Sequence, residues 1–374
     1  MAATRDESNA KGEALGAARN SLQPDRFRNA RQNDSPVAAI DDLRIGPAGW
    51  AYKDWNGVVY PSPRPKGFHE ATYLAQFFDT IEINTSFYAP LRIEQAEQWI
   101  ERVAANPRFL FTAKLWQRFT HDPAPSVTDE REVRLGFDVL MGEGKLGAVL
   151  VQFPFAFHRT SETVKHLEGL LRRFAQYPLV VEFRHASWKA PETFALLREH
   201  RAGFCNIDQP IIGRSLEPSA QVTSEIGYVR LHGRRYDTWF ANAKASGGRN
   251  ASRANETTAT NSPTSPRDFF PRNDSRGPES PDAIPAFERY NYLYSEAELL
   301  PWAERIQSVR ATAKNTFVVT NNHYLGKGVV NALQLISILK GIKVAVPETL
   351  RQPYPELNGI AAQPPATPTL FPMG

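Results

Sequence analysis

The sequence predicts one α/β chain folded as a single (β/α)8 barrel of the TIM type, and three observations lead there. Short, nearly continuous apolar runs alternate with amphipathic helical patterns, as in a parallel sheet covered by helices. Eight such runs occur, and a helical pattern follows the last. About 260 residues remain once three low-complexity stretches are set aside, the usual size of such a barrel.

The strands read in order as LRIGPAG (residues 43–49), TIEIN (80–84), FLFTAK (109–114) and LGAVLVQF (146–153). LVVEFR (179–184), GFCNID (203–208), IGYVRLHG (226–233) and TFVVTNN (316–322) complete the set. Between them EATYLAQFF, IEQAEQWIERV, DEREVRLGFDVL, SETVKHLEGLLRRF, APETFALLREH and SEAELLPWAERIQSV carry helical patterns. Ser295 with Glu298 forms a capping box at the start of the last of these. DQPIIGRSLEPSAQ, before the seventh strand, reads as loop, and VVNALQLISIL is the helix after the eighth. No GxGxxG follows the first strand, which counts against a dinucleotide fold.

The barrel is expected over residues 41–345. Residues 1–40 form an Ala/Asn/Arg/Ser-rich arm, 241–286 an Asn/Ser/Thr/Pro-rich insert, and 346–374 a Pro-rich tail. The arm, the insert and the tail from Arg351 onward bury too little apolar surface to offset the entropy of ordering, so they read as disordered. The formal charge is +4 and the sequence pI about 9.1. The arm and the insert each hold about one net positive charge, and no run of five like charges occurs, so nucleic acid is a weakly supported partner. A single cysteine, Cys205, excludes an internal disulfide and fits a reducing compartment. With no signal-peptide pattern and no membrane-length apolar run, the expectation is a cytoplasmic chain with no membrane partner.

Residues 81–90, IEINTSFYAP, end an apolar strand on polar and aromatic groups. In this fold the C-terminal strand ends converge on one mouth, where activity resides. Collecting them gives Tyr52, Trp55, Glu82, Asn84, Tyr88, Lys114, His121 and Gln152 from the first four units. The others supply Glu182, Arg184, His185, Trp188, Asp208, Arg230, His232, Asn321 and Asn322.

The segments GPAGWAYKDWNGVVYP, FFDTIEINTSFY, GAVLVQFPFAF, VVEFRHASW, YVRLHGR, YNYLYSEAEL and FVVTNNHYLGKGVVNA also follow one another in a familiar order. From about residue 44 to 340, skipping the insert, the chain resembles the family called domain of unknown function 72 (DUF72), or YecE-like. That resemblance implies a TIM-type barrel and no particular activity. Two departures stand out: His323 occupies a position where the family usually has an acid, and the insert lengthens the connection after the seventh strand.

Glu82, Glu182, His185 and His232 are the catalytic candidates. Two carboxylates at one mouth supply an acid and a base when their environments separate their pKa values. The structural alternative is that Glu182 merely pairs with Arg184 or Arg230. Tyr52, Trp55, Asn84, Tyr88, Lys114, Arg184, Trp188, Asp208, Arg230, Asn321 and Asn322 are the expected ligand contacts. Lys114 is a cationic contact or a partner of Glu82, and a Schiff-base lysine only if desolvated. EFRHASW suits an anion or a planar ring, unless Trp188 is core. The Gly-Lys-Gly turn after Asn321 and Asn322 suits an anion at a helix N-terminus, or simply a turn. Cys205 reads as an inert core thiol.

His185, Asp208 and His232 with the two glutamates would suit a divalent metal, but no compact ligand motif supports one, so no residue is assigned to a metal and no cofactor is specified. The favoured function is binding or acid–base conversion of a small polar, anionic or sugar-like molecule. The alternatives are a metal-dependent, sugar-isomerase-like or phosphodiester-cleaving barrel, and a non-catalytic ligand- or nucleic-acid-binding protein. Oligomeric state is not specified.

Overall fold

The computed structural model describes residues 42–121, 125–236 and 286–362. Strands β1 (Leu43–Pro47), β2 (Thr80–Ile83), β3 (Leu110–Lys114) and β4 (Leu146–Gln152) are followed by β5 (Leu179–Glu182), β6 (Gly203–Asp208), β7 (Ile226–Leu231) and β8 (Asn315–Thr320). From β2 to β8 each strand pairs in parallel with its sequence neighbours, and β1 pairs in parallel with β8. The β1–β2 seam closes through a bridge between Ala48 and Glu82, with Gly49 N–H donating to Glu82 O at 2.8 Å. Gly46 permits that approach: a Cβ there would lie 1.9 Å from the carbonyl oxygen of Thr80. The result is a nearly closed (β/α)8 barrel.

Helices α1 (Glu70–Leu74), α2 (Ile93–Arg102), α3 (Val127–Gly142), α4 (Ser161–Arg173) and α5 (Pro191–Glu199) each link consecutive strands. Helix α6 (Glu296–Arg310) precedes β8, and α7 (Lys327–Lys340) follows it. The expected loop before β7 is a loop. Ser295 N–H donates to Glu298 Oε2 at 2.9 Å, so the capping box forms. No helix among the described residues is long and apolar enough to cross a membrane.

Low in the barrel the interior is aromatic. Phe317 of β8 packs on Tyr228 of β7 at 6.1 Å between ring centres. Gly147 makes room for it, because a Cβ there would meet Phe317 Cζ at 2.4 Å. Higher up, toward the strand ends, the interior turns polar.

The expected tail needs correction up to residue 362. Helix α8 (Glu348–Arg351) and a 3-10 turn (Pro355–Gly359) bury Leu350, Tyr354 and Leu357. Thr349 Oγ1 donates to Val59 O at 2.8 Å, Tyr354 Oη to Leu325 O at 2.7 Å, and Val344 bridges Ala361. Three apolar side chains at helical spacing outweighed the prolines between them. The expected arm, most of the insert and residues 363–374 lie outside the described residues.

Candidate functional site

Side chains alternate across a strand, so one parity of each strand faces the barrel axis. Glu82 of β2, Thr112 and Lys114 of β3, Gln152 of β4, Glu182 of β5, and Tyr228 and Arg230 of β7 share the inward parity. Arg184, His232 and Asn321, two residues further or just past their strands, continue it. These residues meet. Arg230 is fully buried and spans the barrel: Nη1 donates to Glu182 Oε2 at 2.5 Å and Gln152 Oε1 at 3.2 Å, Nη2 to Glu82 Oε1 at 2.7 Å. Arg184 donates Nε and Nη2 to Glu182 Oε1 at 3.1 and 2.9 Å. Lys114 Nζ stands 3.8 Å from Glu82 Oε1. Tyr228 Oη donates to Glu82 Oε2 at 3.1 Å and lies 2.9 Å from Thr112 Oγ1.

His232 Nε2 lies 3.4 Å from Glu182 Oε1, and Asn321 Nδ2 stands 3.0 Å from His232 Nδ1. An amide donor at Nδ1 puts the proton of the neutral ring on Nε2, the nitrogen nearer the carboxylate.

Burial and charge set the protonation states. Burial opposes ionisation of Glu182, but Arg230, then His232 and Arg184, overcome it and hold the carboxyl well below its usual range. Burial likewise works against Arg230, yet Glu182 and Glu82 hold it firmly charged. Burial pushes His232 down to about 3, so its ring is neutral at neutral pH. Burial and Arg230 bring Lys114 down to about 8 despite Glu82. His121, which sits near Arg184 and Lys114, falls to about 4 by burial and by those two charges.

The rim is aromatic. Tyr52 stacks on His323 at 4.2 Å and 9°, and Tyr290 lies 4.8 Å from the same imidazole. Tyr52 Oη donates to Ala48 O at 2.8 Å and accepts from Asn84 Nδ2 at 3.1 Å. Phe87 lies 5.3 Å from both Lys114 Nζ and the His121 ring, and Tyr88 is exposed.

Five expected site residues are elsewhere, and for four of them the opposite parity or core packing is the reason. Asp208 faces the helices, where it accepts from Arg234 at 2.9 Å, from Trp302 Nε1 at 3.1 Å and from Tyr294 Oη. His185 caps the turn after β5, its Nδ1 accepting from Ser187 N–H at 3.2 Å. Asn322 donates to Asn331 Oδ1 and Tyr292 O, both at 2.8 Å. Trp188 is core: it stacks on Phe183 at 4.4 Å and donates to Phe157 O at 2.6 Å. Trp55 is buried behind the rim, where its Nε1 donates to His323 O at 2.7 Å. Of the residues weighed for a metal, His185 and Asp208 thus lie apart from Glu82, Glu182 and His232, and no group of three or more His, Cys, Asp or Glu among the described residues is arranged to hold one. In the Gly-Lys-Gly turn, Gly326 backs onto Val59 and Leu350. Cys205 is fully buried with Sγ 4.0 Å from Glu182 Oε2, and burial with that carboxylate pushes the thiol well up.

Tyr228 and Thr112 were not expected at the site. Tyr228 carried a signal all the same, standing two residues before Arg230 on the same face.

A family described as Protein of unknown function DUF72 matches residues 44–355. The chain belongs to the DUF72 family. UPF0759 protein YunF of Bacillus subtilis (strain 168) is 25% identical over 309 residues, covering 79% of this chain and 94% of that one. A solved DUF72 family protein of Thermotoga maritima MSB8 is 27% identical with a TM-score of 0.61, over 80% of this chain and 99% of that one. A second, from Enterococcus faecalis V583, has a TM-score of 0.61 at 20% identity over 80% and 95%, and shows the fold alone. None of these names carries an activity, so the chemistry of this DUF72 barrel rests on its own side chains. Here the departure at His323 is a ring held between two tyrosines and pushed down to about 4, chiefly by burial, so it is a neutral surface at neutral pH.

Proposed function

We propose that the mouth binds a small polar anion and acts on it by proton transfer. One observation carries this reading: the order of exposure within the cluster. Glu82 and Glu182 are completely buried, whereas the Lys114 and Arg184 side chains keep 10% and 15% of their surface open. The carboxylates lie beneath and fix the cations; the cations meet whatever enters. Glu182, held below its usual range, keeps its charge and does not serve as an acid. Proton transfer is best served by a group poised near working pH, and in this cluster that group is Lys114. Neutral His232 and His121 supply further hydrogen-bonding nitrogens, and Tyr52, Tyr88 and Phe87 form the wall.

Isothermal titration with phosphate, sulfate, and small mono- and dicarboxylates, beside neutral sugars, tests the reading. Anions are expected to bind and neutral sugars not, with loss of about 1.5–3 kcal/mol for Arg184→Met, the worth of a charged hydrogen bond. Equal affinities in wild type and Arg184→Met would refute it.

A further inference from the structure

Lys114 is placed to react as well as to hold charge. It ends β3 at the mouth, with Nζ 3.8 Å from the Glu82 carboxylate and 5.3 Å from the centre of the Phe87 ring. Arg184 and Arg230 both lie near enough to act on its charge. Two guanidinium cations, Arg230 and Arg184, already balance the two buried carboxylates. The ammonium is thus not needed to neutralise the buried acids, and its surroundings work against it.

We propose that Lys114 captures the carbonyl carbon of a small oxo acid or other anion-bearing carbonyl compound as an imine. The proposal rests on the anion-binding reading above, with Arg184 holding the anionic group while the carbonyl meets Nζ. The amine lone pair forms the C–N bond as the carbonyl π electrons move to oxygen. Glu82 takes one proton from nitrogen and returns it to that oxygen. The second amine hydrogen leaves with the hydroxyl as water, so amine plus carbonyl gives imine plus water with no oxidant or reductant. A lysine brought down to about 8 offers roughly 300-fold more free amine at pH 7 than one at 10.5.

The test traps the imine on the full chain. Wild-type protein is incubated with glyoxylate or pyruvate, or with uncharged acetaldehyde, then reduced with borohydride and mapped by peptide mass. Phosphate binding is measured on the same sample. The expected result is one adduct, on Lys114, from the oxo acids in preference to acetaldehyde, diminished by added phosphate and missing in Lys114→Arg. Adducts scattered over surface lysines, or none at Lys114 while phosphate still binds, would overturn imine capture and leave the anion site standing. No adduct and no phosphate binding would overturn both. Because the decisive readout is the wild-type peptide map, it holds even if Lys114→Arg folds poorly.

Discussion

Arg230 holds the polar layer of the barrel together, since each of its two terminal nitrogens is bound to a different glutamate. Burying such ions costs several kcal/mol each, and their mutual attraction offsets this only while every partner is present. Arg230→Met leaves two carboxylates buried without their shared cation and is expected to cost about 3–5 kcal/mol, read as a melting temperature lower by roughly 10 °C. A shift below the error of the measurement would contradict the bridging geometry. His232 gives a pH signature. Its folded value of about 3 lies below the unfolded value of about 6.5, so the unfolded chain takes up the proton first. The stability tied to neutral His232 is fully present above about pH 6.5 and is lost as pH falls toward 3. Glu182, whose pKa is depressed, contributes stability that is present above the unfolded carboxylate value near 4.3 and is lost only below it, so between pH 6.5 and 5 the histidines act alone. Replacing His232 by Asn should flatten the pH dependence of unfolding in that window, by up to about 1.4 kcal/mol per pH unit at its lower end. Chemical denaturation at several pH values reads it, and an unchanged slope would count against a neutral buried imidazole.

At the level of elements, the β1–β2 seam and the segment from α8 onward are the places where the barrel depends on close packing. Gly46→Ala would drive a methyl into the Thr80 carbonyl and is expected to cost about 1–3 kcal/mol or more, since backbone cannot yield as a side chain does. Leu350 is fully buried where α8 covers Gly326 and the loop containing Val59. Leu350→Ala should therefore destabilise by about 2–5 kcal/mol. Thermal unfolding of both variants checks these values; a Leu350→Ala protein as stable as wild type would show that α8 does not pack in solution.

For the whole molecule, local pattern reveals the barrel well and the site only in part. Strand ends lie within two residues of the expected ones because each apolar run is bounded by turn residues or helix caps. Collecting polar groups at strand ends finds Glu82, Lys114, Glu182, Arg184, Arg230, His232 and Asn321, but also sweeps in Asp208, His185 and Asn322, which stand one residue out of phase. The partner choices are invisible locally: Arg230 reaches Glu82 across 148 residues of chain and Glu182 across 48. Only closure of the sheet brings them together. The central claim, that Lys114 is kept for a ligand at the expense of stability, has a direct measurement. Its folded value of about 8 against 10.5 means the charged amine destabilises the fold below pH 8 and the penalty fades as pH rises toward 10.5. At pH 7 Lys114→Met is therefore expected to be more stable by about 3 kcal/mol, a rise of several degrees in melting temperature. Melting curves of wild type and Lys114→Met, each with and without saturating anion, decide the matter. The account predicts a wild type that gains stability with the anion and a variant that starts higher and gains less. A variant that melts lower than wild type and still responds fully to the anion would contradict it.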